Sequence, residues 1–223
     1  MTARPLPDRI AALAALDDPT RRAVFDLVTH SATPVSRNAA AEALGTSRRV
    51  AAFHLDRLAD QGLLAVEYRR PPGRSGPGAG RPAKLYRRVE DEIAVSVPPR
   101  HYELVGELLA VAVAESIDTG AAVQDVLDRT AYQAGRTTGA AAGTLLAALE
   151  DAGYQPHGDG SDDGLILRNC PFHRLAGQFT AVVCRMNLHL LRGVADGASA
   201  TRTVILDPSP GRCCVRLQPP PAD

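Results

Sequence analysis

The apolar positions of the first hundred residues fall into short helical stripes separated by strong stop signals. Leu6, Ile10, Leu13 and Leu16 recur at helical spacing. Asp17-Asp18-Pro19-Thr20 then reads as a cap, with Asp18 ahead of a proline at the first helical position. The next helix carries Val24, Phe25, Leu27 and Val28 and ends near His30. Thr33-Pro34-Val35-Ser36 opens a short helix through Leu44, which Gly45 stops. Thr46 or Ser47 caps a helix over 47–60, whose inward side is expected to hold Val50, Phe53 or His54, Leu55 and Leu58. Gly62 ends it. Strand-like runs follow at 64–69 and 83–88, with the Pro/Gly/Arg segment 71–82 between them too poor in apolar side chains to join a core.

Pro98-Pro99 marks a boundary. A long helix over about 102–116 carries Leu104, Val105, Leu108, Leu109, Val111 and Ala112, apolar over an arc wide enough to bury two faces. Helices are expected at about 121–135, 141–152 and 174–195, with a hairpin turning through 158–164 and a strand at 165–167. Two last strands are expected at 201–206 and 213–217. The pattern predicts an α+β chain. It has an N-terminal winged helix-turn-helix domain over 1–97, a long dimerisation helix over 98–120, and a C-terminal α+β sensor domain over 121–223 with a small antiparallel sheet.

At 223 residues, 45% hydrophobic and 22% charged, the chain is long enough and apolar enough to bury a core. No apolar run approaches the ~18 residues of a membrane span. The start, Met1-Thr2-Ala3-Arg4-Pro5, lacks the apolar stretch of a signal peptide, so a cytoplasmic protein without membrane contact is expected. The zero net charge hides a split. Residues 1–100 hold 16 basic and 11 acidic side chains, residues 101–223 hold 9 and 14, and segment 47–88 alone holds 10 and 3. The basic half suits phosphates.

Charge and spacing coincide in one place. A tight glycine-containing turn, Gly45-Thr46-Ser47, sets two helices at a steep angle, and the second can then enter a major groove. Ser47, Arg48 and Arg49 at its start are the candidate base-edge readers, with His54 and Arg57 on later turns. Arg74, Arg81 and Lys84 of the hairpin are candidates for an adjacent groove or the backbone. Phe53 and Leu55 are assigned to the core.

Residues 10–90 resemble the winged helix-turn-helix repressors of the ArsR/DeoR type. The resemblance is carried by Asp18-Pro19-Thr20-Arg21-Arg22, Phe53-His54-Leu55-Asp56-Arg57-Leu58, Gly62-Leu63-Leu64 and Gly80-Arg81-Pro82-Ala83-Lys84-Leu85-Tyr86. It implies that 47–60 is the recognition helix. It is specific for fold and weak for target sequence.

Four cysteines are too few for a disulfide scaffold, and none makes a C-x-x-C pair. Cys170-Pro171-Phe172-His173 is a C-x-x-H. Cys184 follows on the next helix. Cys213 and Cys214, adjacent on an expected strand, point to opposite faces, so one of them can readily join a shared site. Cys213 falls on the apolar side with Val215 and Leu217, although a bulge or a late strand start reverses the choice. Three thiolates suit a [4Fe–4S] cluster, or zinc with His173 as fourth ligand. Plain burial of inert thiols is the remaining alternative.

The stretches Leu167-Arg168-Asn169-Cys170-Pro171-Phe172-His173-Arg174-Leu175-Ala176 and Asp207-Pro208-Ser209-Pro210-Gly211-Arg212-Cys213-Cys214-Val215 resemble the C-terminal half of actinobacterial SufR-like regulators. That resemblance implies a repressor of iron–sulfur assembly operons with a cluster on three cysteines. A homodimer joined through the 102–116 helix, on a palindromic operator in double-stranded DNA, is expected.

Other readings remain open. One is a winged-helix regulator with a structural zinc or an apolar effector and no cluster. Another is an architectural DNA binder with inert cysteines. A thiol enzyme using Cys170 and His173 lacks an orienting third group, a phosphate loop and paired carboxylates, so no enzyme is expected.

Overall fold

The computed structural model describes residues 5–70, 82–89, 92–160, 164–209 and 211–219. The architecture is α+β, and the chain divides into two compact units, residues 1–95 and 96–223. Among the described residues no helix is long and apolar enough to cross a membrane.

In the first unit, α1 (Leu6–Ala14) runs into a 3₁₀ turn (Ala15–Asp17), followed by α2 (Pro19–Thr29), β1 (Val35–Ser36), α3 (Arg37–Ala43) and α4 (Arg48–Asp60). The strands β2 (Leu64–Arg69) and β3 (Ala83–Arg88) then close an antiparallel sheet of order β1-β3-β2. The caps explain the boundaries. Asp18, Ser36 and Ser47 each accept a hydrogen bond from the backbone N–H three residues on, at Arg21, Ala39 and Val50. Gly45 and Gly62 take φ of 61° and 66°, the left-handed turn that ends α3 and α4. Thr33–Ser36, expected to open a helix, instead places Val35 and Ser36 opposite Tyr86 and Leu85 as a third strand.

Two expected faces are corrected. On α1 the stripe Leu6, Ile10 and Leu13 is exposed, while Ala12 and, in the 3₁₀ turn, Ala15 face inward. On α4 the inward arc is Ala51, His54, Leu55 and Leu58. Residue 54 lies three from Ala51 and four from Leu58 and joins that arc, whereas residue 53 lies two from both Ala51 and Leu55 and faces away. Phe53 is 63% exposed and Val50 38% exposed, so neither is core.

The second unit comprises α5 (Tyr102–Thr119), α6 (Val123–Ala142), α7 (Leu145–Asp151), β4 (Pro156–Gly158), β5 (Leu165–Leu167), α8 (His173–Gln178), α9 (Thr180–Gly197), β6 (Thr203–Leu206) and β7 (Val215–Gln218). Its sheet is antiparallel, of order β4-β5-β7-β6. The single helix expected over 174–195 is interrupted at Phe179, and the helices expected at 121–135 and 141–152 meet later, at Gly143. Val105, Leu108 and Ala112 of α5 pack into the same core as α6, α9 and the sheet, so the segment 98–120 is part of this unit.

Helices α6 and α9 touch backbone to backbone. A Cβ placed on Gly135 or Gly139 would meet Leu190 O at 2.0 Å or Val194 O at 2.2 Å. One on Gly193 or Gly197 would meet Tyr132 O at 2.0 Å or Arg136 O at 2.2 Å. Two glycines four apart on each helix therefore set the spacing between them. Polar ties run along the same pair: Tyr132 donates to Asp196 at 2.6 Å and Arg185 to Asp128 at 2.7 Å.

Gly193→Ala is expected to force the helices apart and destabilise the second unit by about 3 kcal/mol, the upper range for overpacking. Gly177→Ala, with nothing within 4 Å of its added Cβ, should leave stability unchanged or slightly raised. Denaturant unfolding of both variants checks the contrast.

Candidate DNA-binding face and thiol site

The start of α4 stands free. Ser47, Arg48 and Arg49 are exposed, as is Arg57 two turns on. Arg48 also borders an open basic concavity with Arg37, Tyr68 and Lys84. The helix is held by a carboxylate on its flank. Asp56 accepts from Arg37 of α3 at 3.0 and 2.8 Å, from Lys84 of β3 at 2.6 Å and from Tyr86 of β3 at 2.5 Å. Arg37 Nε in turn donates to the Tyr86 hydroxyl at 3.0 Å. Burial pushes the Asp56 carboxyl up, but the bonds from Lys84, Tyr86 and Arg37 outweigh it and hold the group below the usual carboxylate range.

Of the candidate DNA contacts, Ser47, Arg48, Arg49 and Arg57 lie at the surface. Lys84 is half-buried and engaged with Asp56, so part of its charge orients α4. His54 is a correction: at 7% exposed it packs inward, which removes it from the side chains DNA can reach. Arg74 and Arg81 lie outside the described residues. Pattern reading missed the exposed aromatics Phe53 and Tyr68, and helix phase was the signal that separates Phe53 from the core.

In the second unit the cysteines come from three separated segments. Cys170 lies in the loop after β5, Cys184 in the second turn of α9, and Cys213 and Cys214 in the turn before β7 rather than on a strand. Burial still alternates through that turn. Cys213 is 1% exposed, in step with Val215 and Leu217, while Cys214 is half-buried. Backbone bonds from Cys213 N to Leu167 O at 2.7 Å and from Asp207 N to Cys214 O at 2.8 Å fix the turn, helped by Arg212 on Asp207 at 2.7 Å.

The thiols meet. Cys170 interacts with Cys213, Cys213 with Cys214, and Cys184 with Cys214. The interaction with Cys213, then burial, pushes the Cys170 thiol far up. Burial raises Cys184. For Cys213 the interaction with Cys170 pulls down, yet that with Cys214 and burial carry it to about 12. Cys170, Cys184 and Cys213 are therefore held as neutral thiols, the reverse of an activated nucleophile.

Asn187 of α9, 1% exposed, donates to the Cys213 sulfur at 3.2 Å and accepts from the buried Tyr154 hydroxyl. Asn169 anchors the neighbouring loop. It donates to Gly153 O at 2.5 Å and Pro99 O at 3.1 Å, and accepts from Arg100, which also donates to Cys170 O at 3.0 Å. Asn169, Asn187 and Tyr154 were not singled out from the sequence.

His173 is exposed and shares with Cys170 the lining of a pocket of about 260 Å³, edged by Arg100, Arg168 and Arg212. Among the described residues no three His, Cys, Asp or Glu side chains are set around one point to hold a single metal ion. The donor type nonetheless suits a soft metal or a cluster: Cys170, Cys184 and Cys213 are buried sulfurs, whose thiolates are costly without a cation.

Asp56→Ala is expected to cost about 1 kcal/mol of stability, discounted for a side chain 38% exposed. Because the folded carboxyl titrates below its unfolded value, its contribution is complete above about pH 4 and is lost as pH falls through the folded value. The stability gap between the native chain and Asp56→Ala should therefore narrow on acidification, which thermal unfolding at a series of pH values reads directly.

Residues 16–67 match the family described as a helix-turn-helix domain. No curated protein matches the chain. No solved structure matches it either. The matched stretch runs from the end of α1's turn through α4 into β2 and so contains the capped turn and the exposed arginines described above. A helix-turn-helix of this form, at the head of an α+β chain, supports a DNA-binding transcription regulator.

Proposed function

We propose that this regulator is a homodimeric repressor whose C-terminal thiol site holds an iron–sulfur cluster and whose operator binding depends on it. The supporting observation is that thiols from three separated segments, Cys170, Cys184 and Cys213 buried and Cys214 half-buried, lie near enough to interact. Cys170, Cys184 and Cys213 would hold a [4Fe–4S] group, with Cys214 the alternative third ligand and the exposed His173 left for an outer role. Such a group supplies an oxygen- and redox-sensitive tie between the segments. Three neutral thiols would have to release protons to take it, so loading would be favoured by rising pH. Asn187 would hold the Cys213 sulfur, and Asn169 with Arg100 would hold the Cys170 loop.

The dimer face would be α5. Gly106, Ala110, Val113 and Ile117 lie along one exposed side of it, with Val113 45% and Ile117 78% exposed. The opposite side of the same helix packs into the core that contains Cys170 and Cys213, so a rearrangement of the thiols would be felt at the pairing surface. Two copies joined this way would present two α4 helices to two half-sites of a palindromic duplex, about one DNA turn apart.

Anaerobic purification with visible absorption, iron and sulfide assays tests the site. A coloured protein that becomes colourless in Cys170→Ser and Cys184→Ser is expected. Stoichiometric zinc without iron, or no metal after reconstitution, would overturn the cluster. The DNA face has its own test. Arg49→Ala should weaken duplex binding about tenfold or more and, if the contact is to phosphate, lower the slope of log affinity against log salt by about one.

A further inference from the structure

Phe53 is the largest apolar side chain of α4 and it stands in solvent. It is 63% exposed, and its ring is fixed edge-on against His54 with centroids 5.2 Å apart. His54 is buried, so this contact steadies the ring from the helix side. Arg49 precedes Phe53 by four residues and Arg57 follows it by four, all three exposed on one face, with Val50 beside them at 38% exposed. A small apolar spot framed by guanidinium groups is a poor site for a lipid tail or an apolar protein surface, because burying it would strand the charges. It suits a surface that offers a methyl group among phosphates and acceptor base edges. The major groove does so at thymine, whose C5-methyl is the apolar mark that phenylalanine can read.

Resting on the reading of α4 as the recognition helix, we infer that Phe53 is a specificity-determining residue that reads a thymine methyl group in each half-site. Four residues of helix advance about 6 Å, close to two base-pair steps of about 3.4 Å. The thymine read by Phe53 therefore lies about two steps from the base pair that Arg49 faces. Ser47 at the helix start and Arg57 beyond Phe53 anchor the frame. Phe53 needs no rotation of α4 to act, since Asp56 on the neighbouring flank already fixes the helix against β3 and α3.

The test starts with selection of bound duplexes from a random-sequence 30-base-pair pool by the purified full-length protein. Each thymine of the selected duplex is then replaced by uracil, which removes only the methyl group. Native protein should lose about fourfold in affinity at one position per half-site, the worth of one buried methyl-sized group. Phe53→Ala should bind the thymine duplex several-fold more weakly and be indifferent to uracil at that position, while Arg49→Ala should keep the uracil sensitivity. Phe53→Leu, which retains an apolar contact, should keep part of it. Native protein indifferent to uracil everywhere, or Phe53→Ala with undiminished uracil sensitivity, would overturn the assignment while leaving DNA binding intact. A pool that yields no enriched sequence would overturn both the assignment and the recognition-helix reading.

Discussion

A single carboxylate sets the pose of α4. Asp56 takes hydrogen bonds from α3 through Arg37 and from β3 through Lys84 and Tyr86, so three elements of the first unit are tied at one point on the flank of α4. Tyr86 is fully buried, which seats that point against the core, and Ala51, Leu55 and Leu58 clamp the inner arc of the helix. With flank and inner arc both committed, the remaining face is left to Arg49, Phe53 and Arg57. What reaches out is thus determined by what is held down. The bond set works because its members are only partly screened: each is worth little alone at such exposure, but together they leave the helix no second orientation.

The second unit is organised by close approach rather than by charge. Gly135, Gly139, Gly193 and Gly197 let α6 and α9 meet at backbone distance, giving a stiff pair against which α5, α7 and the sheet pack. Cys184 sits on α9, while Cys170 and the Cys213–Cys214 turn are brought to it by the loop that Asn169 anchors and by the Cys213–Leu167 backbone bond. The result is a rigid wall facing two shaped loops. The neutral thiols of Cys170, Cys184 and Cys213 form the resting arrangement, and a cation entering there would have to displace their protons.

Much of the first unit was legible because its punctuation is chemical. Asp18, Ser36 and Ser47 cap helices through their own side chains, Gly45 and Gly62 end them, and 64–69 and 83–88 alternate as strands do. Phe53 and His54 were misassigned because a preference for apolar residues inside competes with helix phase, and phase decides once Ala51, Leu55 and Leu58 are placed. The short strand at Val35 was invisible because only pairing with Tyr86 creates it. In the second unit the inward choice of Cys213 followed from alternation with Val215 and Leu217, even though its backbone forms a turn there. The glycine contact of α6 and α9 is written in the four-residue spacing on each helix, but nothing in one segment says which other segment it meets. Asn169, Asn187 and Tyr154 were hidden for the same reason: their roles are long-range hydrogen bonds.

In the proposed function, the state of the thiol site sets the affinity for DNA. The most direct measurement is the affinity of one anaerobic preparation for its selected duplex, at fixed salt, after cluster reconstitution and again after treatment with a chelator. A change of about tenfold, corresponding to a coupling of about 1.4 kcal/mol, is expected, and it should disappear in Cys184→Ser. Equal affinity of the loaded and stripped protein would contradict the coupling, and the second unit would then have no part in controlling the first.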